Sequence, residues 1–343
     1  MSTMNPEFVF KGEPFANRYR LTGILTAQSP IHIGTGERRV DLSQFTSDTH
    51  KELIKRIVNG YYKEAEQLLQ GLRSKEQKEK AAEEREDHYI DEIARDGKGL
   101  PYIPGSTLRG VVRNYLLQIF REYPDQGKEI ACDRSDKEID KLQEELKKIT
   151  SQEERLNWLK QQLSLLEQVF GTTLSESKIE FWDNPLRPGG EVHAPELAGK
   201  GWETEQPQSY VVRSVAIDPI TGAAEPNKLY AFDVVPKGAQ FSVTITGQNL
   251  NAIELGFVLF GLDGFNSKIY PLTIGAMAGR GFGRMKFEVT EIACLNKDGL
   301  QGWIEKAIST DHVQAGYESL PVVNKDTLIR KFKDALQNAL KKE

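Results

Sequence analysis

Tyr102-Ile103-Pro104-Gly105-Ser106-Thr107-Leu108-Arg109-Gly110-Val111-Val112-Arg113 reads as a strand-like approach, a tight turn and the start of a helix. Pro104-Gly105 interrupts the chain. Ser106 suits an N-cap, and Val111, Val112, Tyr115, Leu116 and Ile119 recur at helical spacing as far as about Arg121. Free backbone N–H groups and the positive dipole end at Gly105-Ser106-Thr107 would suit an anion. Arg109 and Arg113 share one helix face. From Pro101 to Arg121 there are three arginines and no carboxylate, in a chain that holds 50 acids and 45 bases. The competing reading is a capped amphipathic helix with solvated arginines.

A second stretch, Gly275-Ala276-Met277-Ala278-Gly279-Arg280-Gly281-Phe282-Gly283-Arg284, is rich in glycine and basic. Phe265 to Phe287 carries Lys268, Arg280, Arg284 and Lys286 and no acid. Glycine lets a backbone approach a ligand closely and adopt positive φ, so such a loop can wrap a phosphate. No Gly-Lys-Ser/Thr follows, which excludes a nucleotide-binding P-loop. A plain glycine hinge between helix and strand competes with this reading.

With 343 residues, 38% hydrophobic and 28% charged, the chain has enough material for a large core. No run approaches the roughly 18 apolar residues of a membrane span, and the first residues lack a signal-peptide pattern. Two cysteines, Cys132 and Cys294, make neither a disulfide framework nor a zinc site alone, so a reducing cytoplasm is expected. The net charge of −5 excludes a wholly basic nucleic-acid binder, and any nucleic-acid surface must be local. Leu42 to His88 holds nine bases and ten acids, and Asp125 to Phe170 eight and eleven. Neither segment reads as that surface.

Tyr19 to Thr26 and Gln240 to Gly247 alternate as strands, and Leu250 to Leu262 reads as an apolar helix leading to the glycine loop and a strand from Arg284 to Ile292. Tyr210 to Asp218 and Lys228 to Val235 form a long hairpin pattern around Pro219-Ile220-Thr221-Gly222. Strand, helix, strands, helix, strand in that order predicts an α+β fold with a ferredoxin-like βαββαβ core. His32, between two isoleucines, reads as a hydrogen-bonded core or edge histidine.

Four ordered motifs carry a resemblance: Pro30-Ile31-His32-Ile33-Gly34-Thr35-Gly36, the Tyr102 to Gly110 helix start, Val169-Phe170-Gly171 and Gly279-Arg280-Gly281-Phe282-Gly283-Arg284. In this order the chain resembles the RAMP superfamily, and within it a backbone subunit of a type III CRISPR effector complex. The resemblance implies an RRM-like core with helical insertions and a hairpin that projects as a thumb. Together with the helical spacing of the intervening segments and the tail, which the resemblance does not cover, it divides the chain into an N-terminal arm and first strand (1–41), a helical insertion (42–88), a catalytic loop and central helix (89–124), a second helical insertion (125–168), the remaining core with thumb and glycine-rich loop (169–299), and C-terminal helices (300–343).

The resemblance further implies that guide RNA is held through phosphates and 2′-hydroxyls, which leaves bases free for a complementary target RNA. Gly105, Ser106, Arg109, Arg113, Gly279, Arg280, Gly281 and Arg284 are the expected guide contacts, with Arg213 at the base of the thumb. The expected partners are guide RNA, target RNA and other type III effector subunits, with no membrane. In cleaving relatives an aspartate before the Ile-Pro-Gly-Ser motif supports cutting with a divalent metal such as Mg2+. Asp91 falls there and Asp41 is the runner-up; relatives often carry a proline two residues on, where this chain has Ile93. The rival readings are a non-catalytic structural subunit and a guide-processing endoribonuclease working through histidine.

Overall fold

The computed structural model describes residues 15–40, 89–121, 130–132, 134–190, 208–217, 220, 222, 224–309 and 324–340. Asp41, His88 and the whole 42–88 segment lie outside the described residues.

The principal sheet contains β1 (Asn17–Ala27), β5 (Ile179–Phe181), β9 (Gln240–Gln248) and β10 (Met285–Asn296), in the order β10-β1-β9-β5. Every neighbouring pair in it is antiparallel. With helix α1 (Gly105–Arg121) between β1 and β5, and α5 (Ala252–Asp263) between β9 and β10, this is the order of a ferredoxin-like sheet. The α+β class and βαββαβ core expected from the sequence are therefore present.

Alternation places the sheet on its core. Leu21, Leu25 and Ala27 of β1 are buried, as are Phe241, Val243 and Ile245 of β9. Gly23 sits at a bulge in the β1–β10 register, where a Cβ would press on the Phe287 ring at 2.7 Å. Helix α1 buries Leu108, Val112, Tyr115, Leu116, Leu117 and Phe120. Helix α5 is apolar nearly all round because it is covered on both sides: Gly261 admits Val112 and Leu116 of α1, and Gly256 admits Leu328 and Phe332. Those last two residues belong to α7 (Lys325–Leu340), and with Ile329 they are buried in the common core. The C-terminal helix α7 is thus part of the core packing. Asn251 starts α5 by accepting from Ile253 N (2.8 Å) and Glu254 N (2.9 Å), and Glu254 accepts back from Asn251 N (2.8 Å).

Between α1 and β5 run α2 (Asp136–Lys148), α3 (Gln152–Gln162) and α4 (Leu165–Phe170). No residue of α2 is buried, whereas α4 buries Leu166, Val169 and Phe170. A further helix, α6 (Lys297–Ser309), follows β10.

A second sheet holds β2 (Gly34–Val40), β3 (Tyr89–Ile93), β7 (Tyr210–Ile217) and β8 (Ala224–Val234), in the order β2-β3-β8-β7. Strands β7 and β8 are the expected hairpin. The structure departs from the sequence reading beside it: residues 89–93 are not a loop but strand β3. Gly36 has φ of 83°, and the β2–β3 register slips between Gly34 and Arg38, so β2 absorbs its glycines as an irregularity and continues. Strand β3 then bridges β2 to the hairpin, running parallel to β8. A short pairing of β4 (Tyr102–Ile103) with β6 (Asn184–Pro185) completes the strands among the described residues.

Candidate nucleic-acid interface

The helix start that organises the sequence is held by distant residues. Helix α1 begins at Gly105, with Thr107 N and Leu108 N both donating to Pro104 O, so Ser106 is its second residue and not its cap. The cap comes from elsewhere: Gly105 N donates to Asp183 Oδ1 at 2.8 Å. A protein carboxylate therefore occupies the dipole end that the sequence offered to a ligand anion. Gly105 is needed for contact, since a Cβ there would lie 2.2 Å from Phe181 O. Ser106 is exposed. Arg109 turns inward, donating to Phe170 O with its guanidinium 5.8 Å from the Phe170 ring. Burial, and then the neighbouring Arg113 charge, hold its pKa below the usual arginine value. Arg109 thus ties α1 to α4, while Arg113, one turn on, is half-buried.

The glycine-rich loop is locked at both ends and open at its tip. Ile274 N donates to Gly283 O (2.9 Å), Gly283 N to Pro30 O (2.9 Å) and Ala276 N to His32 O (2.8 Å). Two motifs far apart in sequence, residues 30–33 and 274–284, are thereby brought together. Gly275 and Gly283 have φ of 86° and 79°, and a Cβ would lie 2.3 Å from His32 O and 2.2 Å from Ile274 O, respectively. Gly279 and Gly281, at the exposed tip, have nothing within 4 Å of such a Cβ. Gly283→Ala should lower stability by about 3 kcal/mol, from positive φ combined with a backbone clash. Gly281→Ala, which meets strain without a clash, should cost about 1 kcal/mol in the same urea titration. Equal small losses would mean that the loop shifts freely.

The loop rests on the β7–β8 hairpin. Arg280 stacks 5.1 Å from the Tyr230 ring, and Phe282 meets Phe232 edge-on at 5.8 Å. His32 packs against the same Phe232 at 5.4 Å and places Nδ1 2.6 Å from Asp233 O, a buried structural position as its sequence context suggested. Arg284 is exposed, its N–H held by Ser29 Oγ (3.0 Å). Arg213 is exposed on β7 opposite Ala231.

Asp91 lies on β3, in register with Arg38 of β2, and Arg38 Nε is 2.8 Å from Asp91 Oδ1. Their side chains are 43% and 49% exposed, so solvent reaches the pair. Ile93 is buried at the end of this strand, where a proline would weaken the ladder. The neighbouring Glu92 faces inward instead, 3.4 Å from Arg39, and burial pushes its pKa up against the opposing pull of Arg39. Behind it Asp233, 1% exposed, is 2.9 Å from Arg39 and 3.8 Å from Arg95.

The family model described as the RAMP superfamily matches residues 24–286, from β1 to the start of β10. The chain belongs to the RAMP superfamily. That membership makes it a CRISPR-associated RNA-binding subunit. No curated protein matches it. Among the described residues, no helix is long and apolar enough to cross a membrane.

The RAMP match covers the glycine loop and its partner segment, and the structure joins those two through backbone bonds. The α1 start is held by α4 and the β5–β6 connection instead, so the expected contacts fall on two separately supported surfaces. Sequence reasoning missed Asp183 as the cap and Asp233 as the charge beneath β3. Neither carries a local signal, because each acts on a residue more than 70 positions away.

Proposed function

We propose that this RAMP-superfamily chain is a guide-RNA-binding backbone subunit of a type III CRISPR effector, which presents the guide to a complementary target RNA. The observation that carries the reading is the glycine loop. Its ends are fixed by backbone hydrogen bonds while Gly279-Arg280-Gly281 stands exposed with room for a strand to approach. A rigid, side-chain-poor, basic tip grips a sugar–phosphate backbone without reading bases. The order of the four motifs supports the type III assignment.

On α1 the two arginines separate. Arg113 would contact phosphate, and Arg109, already spent on Phe170 O, would position the helix. Arg113→Ala should weaken binding of unrelated single-stranded RNAs alike and lower the salt slope by about 0.7. Arg109→Ala should chiefly lower the unfolding midpoint. Fluorescence anisotropy across a salt series measures the first, and loss for one RNA sequence alone would speak against phosphate gripping.

We further propose that Asp91 serves target cleavage in the assembled complex. Among the described residues, no group of three His, Cys, Asp or Glu side chains could hold a metal. Asp91 fits instead a shared site, since Mg2+ is commonly held by one or two carboxylates with substrate phosphates. Bound there, the ion would neutralise charge on the scissile phosphate. Arg38 restrains the carboxylate until RNA arrives. The same ion pair favours a second reading, a subunit that binds RNA and does not cut. A histidine-based guide-processing role is disfavoured at His32, whose ring is buried; the other histidines lie outside the described residues.

A further inference from the structure

A groove of about 510 Å3 opens beside the glycine loop, between the end of α5 and the start of β10. Lys268, Arg284 and Lys286 supply its charge, Gln28 and Asn266 add amides, and no carboxylate lines it. Phe265, Pro271 and Met285 give it apolar wall. That volume lies within the roughly 300–1,000 Å3 of small-ligand sites. An apolar wall with three cations suits a nucleotide unit: sugar or base against the wall, phosphate towards the cations.

The groove is preorganised. Asn266 Nδ2 donates to Phe287 O (2.9 Å) and its Oδ1 accepts from Phe287 N (3.1 Å), so one side-chain amide takes the place of a further strand on the β10 edge. The loop above is pinned by Ser267 N and Leu272 N, both donating to Gly264 O, and by Tyr270 N donating to Ser267 Oγ. Two acids bonded to groove residues are engaged: Asp263 with Asn266 and Lys325, and Glu288 with Lys286 at 2.7 Å. The Lys286–Glu288 pair is 55% exposed on both sides, so it opens at little cost for an incoming phosphate. Lys268 makes no hydrogen bond or ion pair among the described residues.

We propose that this groove is a second phosphate station for RNA, continuing the path of a single strand from the glycine-loop tip, with Arg284 shared by both. The proposal rests on the RNA-binding reading above and adds where the strand goes next. Lysines there act as point charges and add no sequence preference.

The test is binding of labelled single-stranded RNAs to the full chain over a salt series. Lys268→Ala with Lys286→Ala should weaken affinity about tenfold at low salt, alike for unrelated sequences, and lower the salt slope by about 1.4. Lys268→Gln alone, which disturbs no pairing, should give about half that slope change and guards against misfolding of the double variant. Lys331→Ala on α7 removes one charge that does not line the groove and should leave the slope unchanged. If wild-type protein binds RNA and the groove variants match Lys331→Ala, the groove is overturned and the RNA-binding reading stands. If wild-type protein binds no RNA, both fall.

Discussion

Asp91→Ala is expected to reduce Mg2+-dependent cleavage of complementary RNA by the assembled complex on the order of a hundredfold or more, at sites served by this subunit. Guide binding should persist, because it rests on many phosphate contacts elsewhere. The expectation follows from position. Asp91 is a half-exposed carboxylate on β3 that meets Arg38 at 2.8 Å, whereas its neighbour Glu92 turns inward towards Arg39. Arg38→Ala separates catalysis from structure: freeing Asp91 should lower the Mg2+ concentration needed for half-maximal cutting if Arg38 only restrains it. Asp41→Ala should do much less than Asp91→Ala. The opposite ranking would move the reacting centre to Asp41, and unchanged cutting in both would leave the chain a non-catalytic RNA-binding subunit.

Asp233→Ala should cost about 3–5 kcal/mol of stability, the usual consequence of removing one member of a buried ionic cluster. Its side chain is 1% exposed, with Arg39 at 2.9 Å and Arg95 at 3.8 Å, the latter an ion-pair distance too long for a hydrogen bond. Removing it leaves two poorly hydrated guanidinium groups between β2, β3 and β8. Arg95 would retain Gly99 O (2.9 Å) and Ser209 Oγ (2.5 Å), and Arg39 its ion pair with Glu92 (3.4 Å). Asp233→Asn, which keeps shape without charge, should be milder. Urea unfolding decides, and a loss below about 1 kcal/mol would mean that the arginines rehydrate easily. Because β8 pairs with β3 at Asp91–Phe232, the variant should also impair whatever Asp91 does.

The elements were legible because each is a local repeat. Alternation in Tyr19–Thr26 and Gln240–Gly247, the apolar run ending at Leu262 and the hairpin around residues 219–222 all appear as strands or helices where their periods place them. Their order was enough to expect a ferredoxin-like core. The glycine loop was legible too, since positive φ and close backbone contact leave a record in composition.

What only the tertiary structure decided is which distant group each side chain meets. The α1 start looked like an open anion site because Asp183, which fills it, is 78 residues away. Arg109 was expected at a phosphate, and nothing local in the sequence shows that its guanidinium meets Phe170 O, 61 residues on. Asp91 looked like a loop residue because β3 is made a strand by β2 and β8, and the pairing that sets Arg38 against it spans 53 residues. Periodicity along the chain follows from the helix turn and the strand pleat and repeats within a few residues. Hydrogen bonds and ion pairs between remote segments depend on register and packing, which leave no such repeat in the sequence.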